Sequence, residues 1–334
     1  MKKLSFIAML LVCCACSDSG KQKVVTEFER SGELVADVVE VSAPYLVPRY
    51  MGITGEYLLV HKVREDKLFS LFSLPGLEHV SDVGQRGQGP NDFNLLDTRS
   101  FLMTPYGFHV IDANLNMLKE VEISDKGLLV KKSRQVFSRG MSSNGFYPMS
   151  DGRYVTFTQP DSDKEFALYD METGESILTE IEYPHWQEIP KEIPVFMTYL
   201  KTCVPHPDGK RFAAFYGRFK RWRLFDSSLE LMADIDVQVG NSKADAALAP
   251  AEQPVFYVGQ PYATDKHIYV LCSNKNTSEN ACSELQVWDW EGNPLACYTF
   301  DRKLSLMAIS EKYGKIYGID NMIEDHIYVY KLPM

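Results

Sequence analysis

The chain has 334 residues, of which 45% are hydrophobic and 12% aromatic, with 18 Tyr and 18 Phe. That much apolar side chain can build a sizeable core, and the aromatic bias suits the pleated, half-buried surface of β-strands. A formal net charge of −10 repels phosphate backbones, which disfavours nucleic acid as a partner.

In chain order, Met1-Lys2-Lys3 is a short basic region and Leu4–Ala15 an apolar run. The run is too short to cross a bilayer, which takes roughly 20 helical residues, and suits a signal-peptide core. It ends in Cys13-Cys14-Ala15-Cys16-Ser17. This resembles the lipobox of bacterial lipoproteins, where small residues precede a cysteine that is diacylated and becomes the new N-terminus. Cys16 fits best, with Ala15 before it and polar Ser17–Gly20 after it. Residues 1–15 are thus expected to be a signal peptide, 16–23 a tether and 24–334 the folded domain. Cys13 stands where Leu is usual, which leaves cleavage before Cys14 open, and an ordinary secretory signal is a further alternative. Losing Lys2 and Lys3 with the signal takes the net charge to −12.

From Pro44 onward a two-part pattern repeats. A turn precedes an alternating strand at Thr54-Gly55, Tyr106-Gly107, Asp151-Gly152, Asp208-Gly209, Asp265-Lys266 and Tyr313-Gly314. A hairpin follows, around Ser73, Asp112, Asp170, Asp226, Asp289 and Lys331. Glycine at five of the first corners supplies the positive φ that tight turns need, and Asp at the second can cap its own turn. The stretch FHVID serves in both series, so the second unit is the least regular. Six units of this content predict an all-β fold, a six-bladed β-propeller.

The sixth unit is cut short, because only Lys331–Met334 follow Tyr328-Val329-Tyr330. Val24–Val41 is strand-like with no nearby partner. Pairing the two would close the ring with an N-terminal strand and remove a large open edge. Tyr183–Thr198 carries Pro184, Pro190 and Pro194 and reads as a long loop over one face; Lys243–Pro254 reads as an Ala-rich loop or helical turn.

Candidate chemistry is sparse. Cys272 and Cys282 flank a polar loop between two strand-like runs, where a disulfide across the hairpin and two free thiols both fit. No CxxC or paired-His spacing suggests a metal, no cofactor fingerprint occurs, and no HExxH or GxSxG marks a hydrolase. In Gly84–Phe93, GQRGQGPNDF, glycines free backbone amides and Arg86 adds positive charge, which suits a small anion cradle; a tight connection between blades is the structural alternative. Phe215–Phe225, FYGRFKRWRLF, sets Arg218, Lys220, Arg221 and Arg223 among aromatics, a composition suited to sugars or anions, or else to a solvated hairpin. His185 and Trp186 can join a face-bound site or pack their loop down.

Gly87-Gln88-Gly89-Pro90, with Asp92-Phe93 where Glu-Phe is usual and Asn91 in place of a Gly, resembles the GxGPGEF-type signature of the TolB-like six-bladed propeller lipoproteins. The resemblance implies that fold and a place in the cell envelope, anchored to the bacterial outer membrane by the lipid on Cys16 and facing the periplasm or the surface. The expected role is a ligand- or protein-binding module with candidate residues Arg86, Asp92, Arg218, Arg221 and Trp186, and with a non-enzymatic reading favoured. The alternative is an envelope hydrolase or lyase with its site at the axial mouth.

Overall fold

The computed structural model describes residues 21–42, 47–124, 127–137, 145–240, 252–276 and 281–333. Cys16 and the signal segment lie outside them, as does most of 243–254. Six sheets, each with a core of four antiparallel strands, surround an axis as a six-bladed β-propeller. Blades 1 to 6 span 48–85, 102–135, 147–178, 201–237, 255–300 and 306–331. In each blade the first strand lies nearest the axis and the others follow outward, by hairpins except for the fourth strand of blade 6, which comes from the N-terminal segment.

Period-2 alternation makes each blade a two-sided wall whose faces pack on its two neighbours. In the third strand of blade 4, Arg221–Asp226, buried Trp222 and Leu224 pack toward blade 5 with Trp288 and Val270. Phe225 packs toward blade 3 with Phe166 and Leu168. Short Asp corners hold the outer hairpins: Oδ1 of Asp170, Asp226 and Asp289 accepts two backbone amides apiece at 2.7–3.0 Å.

Blade 2 departs from the expected phase. FHVID, Gly107–Asp112, is its second strand, so the Asp112 hairpin joins strands two and three rather than three and four. Gly107 also differs from the other corner glycines. Gly55, Gly152, Gly209 and Gly314 have positive φ, whereas a Cβ on Gly107 would lie 1.9 Å from the Val121 carbonyl oxygen. It is there for close backbone approach.

Closure of the ring is as the sequence suggested, with a refinement. Val24–Val41 forms three short strands: β1 (Gln22–Val25), β2 (Arg30–Leu34) and β3 (Asp37–Glu40). Only β3 closes blade 6, pairing antiparallel with His326–Lys331. β1 and β2 run parallel to the outer strands of blades 4 and 5. The N-terminal segment is a strap over three consecutive blades.

Of the two arrangements open to Cys272 and Cys282 the structure has the one without a disulfide, and Cys203 and Cys297 are not disulfide-bonded either. Register explains it, since Cys272 lies opposite Glu284 and not Cys282. Burial, with the Glu284 carboxylate nearby, pushes the Cys297 thiol up to about 12.

Candidate functional site

Because all six inner strands run in the same direction, the chain sorts its connections onto two faces. Turns between strands one and two lie on one face. The blade-to-blade connections, together with the turns between strands two and three, lie on the other. The axis carries a cavity at each face.

The cavity on the turn face, about 830 Å³, is bordered by inner strands of all six blades. Its charged groups are His206, Asp208, Glu311 and Lys312, and three of them, His206, Asp208 and Lys312, are engaged. His206 Nδ1 lies 2.7 Å from Asp208 Oδ1 and Nε2 lies 3.2 Å from the Asp265 carbonyl oxygen. Lys312 is paired with Glu56.

The cavity on the connection face, about 550 Å³, is different in charge. Arg49, Arg99, Lys201, Arg218, Lys275 and Lys303 line it, against the single carboxylate of Asp320. Lys201 is buried and neutralised by Glu165 at 2.9 Å, and Arg99 lies 3.7 Å from Asp97. Arg49, Lys275 and Lys303 are exposed and enter no ion pair among the described residues. Apolar walls come from Tyr50, Met51, Leu306 and Met307.

Tyr50, Met51, Gln260 and Met307 border both cavities and so form the waist between them. Gln260 of blade 5 crosses the axis and donates from Nε2 to the Phe101 carbonyl, beside blade 2, at 2.8 Å. Its Oε1 is buried with no hydrogen-bond partner among the described residues.

The residues singled out in the sequence fall in three places. Arg86 and Asp92 sit in the connection between blades 1 and 2. Arg86 donates to the carbonyls of Val63 at 2.8 Å and Asn94 at 3.3 Å. Asp92 Oδ2 accepts from Gly89 N at 2.8 Å, and a Cβ on Gly87 or Gly89 would come within 2.3 or 2.8 Å of that oxygen. The glycines thus make room for the chain's own carboxylate, and the Gly87 amide is spent on the Phe93 carbonyl at 3.0 Å. The motif folds as a tight blade connection.

Arg221 and Trp186 form a second cluster, in the groove between blades 3 and 4. Asp234 holds both, accepting from Arg221 at 2.9 Å and from the Trp186 indole at 2.9 Å, and the guanidinium lies 4.3 Å from the indole ring. Trp186 also packs edge-on against Tyr216 and Phe219, so the long loop is pinned down. Deeper in the same interface, Glu165 is fully buried between Lys201, Arg223 and the Tyr216 hydroxyl, at 2.9, 3.0 and 2.7 Å. Burial and that carboxylate push the Tyr216 phenol up. Arg218 alone of the five reaches the axial mouth.

Sequence reasoning missed Arg49, Arg99, Lys275 and Lys303. A signal existed: in blades 1, 2, 4 and 6 a basic residue (Arg49, Arg99, Lys201, Lys303) stands at or just before the inner strand. Positions equivalent in a propeller repeat converge on one mouth.

A closed six-bladed propeller with an axial channel and one cationic mouth is the class that fold and geometry define. The description "TolB-like 6-blade propeller-like" matches residues 27–201, just over half of the chain, and the chain belongs to that family. Compared with curated proteins, the sequence has no match. Among solved structures it is similar to a member of the DUF4221 family from Bacteroides vulgatus, at 12% identity and TM-score 0.61, over 90% of this chain and 97% of that one. It is also similar to a Bacteroides fragilis protein described as exported, at 12% identity and TM-score 0.56, over 92% of this chain and 99% of that one. At such identity these likenesses speak for the fold alone.

Proposed function

We propose that this protein is an exported, lipid-anchored binding module of the bacterial cell envelope, and that its ligand site is the axial cavity on the connection face. The observation that carries the reading is the Gln260 crossbar. It closes the floor of a cavity of about 550 Å³, within the range typical of small-ligand sites, with apolar walls and a few polar groups. Anchoring rests on the lipobox-like segment. With Cys16 acylated, the five-residue step to Lys21 spans at most about 18 Å, which tethers the outer edge of blade 4, where β1 begins, close to the membrane. The resemblance of the fold to a protein described as exported agrees with that address.

A hydrolase or lyase at the axis has less support. His206 is the one histidine lining either cavity among the described residues, and both its ring nitrogens are already engaged.

Two measurements test the proposal. Metabolic labelling with an alkyne fatty acid is expected to mark the wild type and not Cys16→Ser. Thermal-shift titration against acidic and neutral sugars, amino acids and dipeptides is expected to find ligands that stabilise the protein, by about 2.7 kcal/mol at a hundredfold excess over Kd. Met307→Trp, which fills the waist, is expected to abolish that response. Turnover of a stabilising compound, or stabilisation that survives the plug, contradicts the reading.

A further inference from the structure

The charge of the axial mouth narrows the class of ligand. We infer that the connection-face cavity takes a small organic polyanion, a molecule bearing two or more carboxylate, sulfate or phosphate groups on a compact body. This rests on the axial site proposed above and adds the chemistry that selects the ligand.

Three observations carry it. The chain as a whole is acidic, with 45 Asp and Glu against 35 Lys and Arg, yet this mouth has six basic residues, of which Lys201 and Arg99 are paired with Glu165 and Asp97, against the single lining acid Asp320. Arg49, Lys275 and Lys303 come from blades 1, 5 and 6, consecutive around the closed ring, and Arg218 from blade 4 extends the arc. Like charges gathered over a low-dielectric concavity repel one another and focus a positive potential that an anion relieves. The guanidinium group of Arg49 offers a planar fork that suits carboxylate and sulfate oxygens.

At the floor, the buried Gln260 Oε1 lacks a hydrogen-bond partner among the described residues. As an acceptor it offers an anion no attraction, so the basic rim carries the selectivity. Size and surroundings set the upper limit. The cavity is about 550 Å³, and beyond its rim the acidic body repels an extended polyanion, so nucleic acid and long anionic polymers fit poorly. The opposite mouth is no rival, because Lys312 is paired with Glu56 and lies beside Glu311.

The test uses pyrenetetrasulfonate, a compact fluorescent polyanion, titrated into the full-length protein in mild detergent and read by anisotropy. Wild type is expected to bind it, and to bind it several-fold more weakly at about 1 M than at about 0.1 M salt, where the Debye length falls from about 10 to about 3 Å. The triple variant R49Q/K275Q/K303Q is expected to lose about tenfold or more in affinity. All three side chains are exposed, so its melting curve should match wild type, and the single variants R49Q and K303Q provide a second reading. Lys312→Gln at the other mouth should change nothing. No binding by wild type, or equal binding by the triple variant, overturns the inference. If neutral compounds stabilise the protein through a response that Met307→Trp abolishes while the tetrasulfonate is ignored, the axial site stands and the polyanion falls. If neither is seen, both fall.

Discussion

Gln260 of blade 5 reaches across the axis to donate a 2.8 Å hydrogen bond to the carbonyl of Phe101, beside blade 2. The two blades face each other in a six-membered ring, so one side chain divides the channel and ties opposite walls together. Gln260→Leu keeps the bulk but leaves the buried Phe101 carbonyl without its donor. The expected cost is about 1–3 kcal/mol, read from the shift in denaturant midpoint at unchanged slope. An unchanged midpoint would mean that the crossbar does not hold.

Blade 2 depends on a buried ion pair that also anchors the glycine-rich connection. Asp112, fully buried, lies 3.1 Å from Lys119 and accepts the amides of Asn94 at 2.9 Å and Leu95 at 3.2 Å. Lys119 in turn donates to the Asp92 carbonyl and sits over the Phe93 ring. Removing one partner of such a pair leaves an uncompensated charge, so Asp112→Ala is expected to cost about 3–5 kcal/mol. The double variant Asp112→Ala/Lys119→Met should recover part of it, and a double variant no better than the single would show that the pair is not the cause.

The strap offers a sharper test of ring closure. Val41 N donates to the Asp325 carbonyl at 2.8 Å. The alternation of an antiparallel ladder then gives the next bonded position to Val39, opposite Ile327. Val39→Pro removes that bond from the strand that completes blade 6 and leaves the Ile327 carbonyl without its donor, at a cost of about 1–3 kcal/mol. Lys23→Pro disrupts β1 in the same chemical way, but blade 4 already has four strands without it. Limited proteolysis and melting should therefore show Val39→Pro much the weaker of the two. Equal losses would contradict the closure.

Stability should also fall on mild acidification. Burial, with Arg86 and Arg49 nearby, lowers His61 to about 4 from an ordinary value of 6.5. The folded state thus keeps this imidazole neutral while the unfolded chain protonates below the ordinary value. Stability is fully present above pH 6.5 and lost as pH falls toward 4, by about 3 kcal/mol in all. His61→Leu should remove that part of the pH dependence, measured by urea midpoints across the range; an unchanged profile would assign it elsewhere.

The blades were legible because their signals are local. Alternation, a corner glycine and a capping Asp all lie within a dozen residues, as in Phe166–Asp170 and its turn. Blade 2 slipped phase because Asp112 looks like an outer-corner Asp, while its carboxylate is spent inward on Lys119 and the Asn94–Leu95 amides. The mouth was not legible for the opposite reason. Arg49, Arg218, Lys275 and Lys303 are far apart in sequence and meet only when the ring closes. The dense basic stretch Arg218–Arg223 drew attention instead, but a strand sends its neighbours to opposite sides. Lys220 pairs with Glu284 of blade 5, Arg223 with Glu165 of blade 3, and Arg221 with Asp234.

The most direct measurement is a crystal structure of the protein soaked with pyrenetetrasulfonate, its sulfur atoms located by anomalous scattering. The expected result places sulfonates against Arg49, Arg218, Lys275 and Lys303, with the ring above the Gln260 crossbar. Sulfur peaks confined to lysines away from the axis, or seated in the groove between blades 3 and 4 beside Arg221, would contradict it.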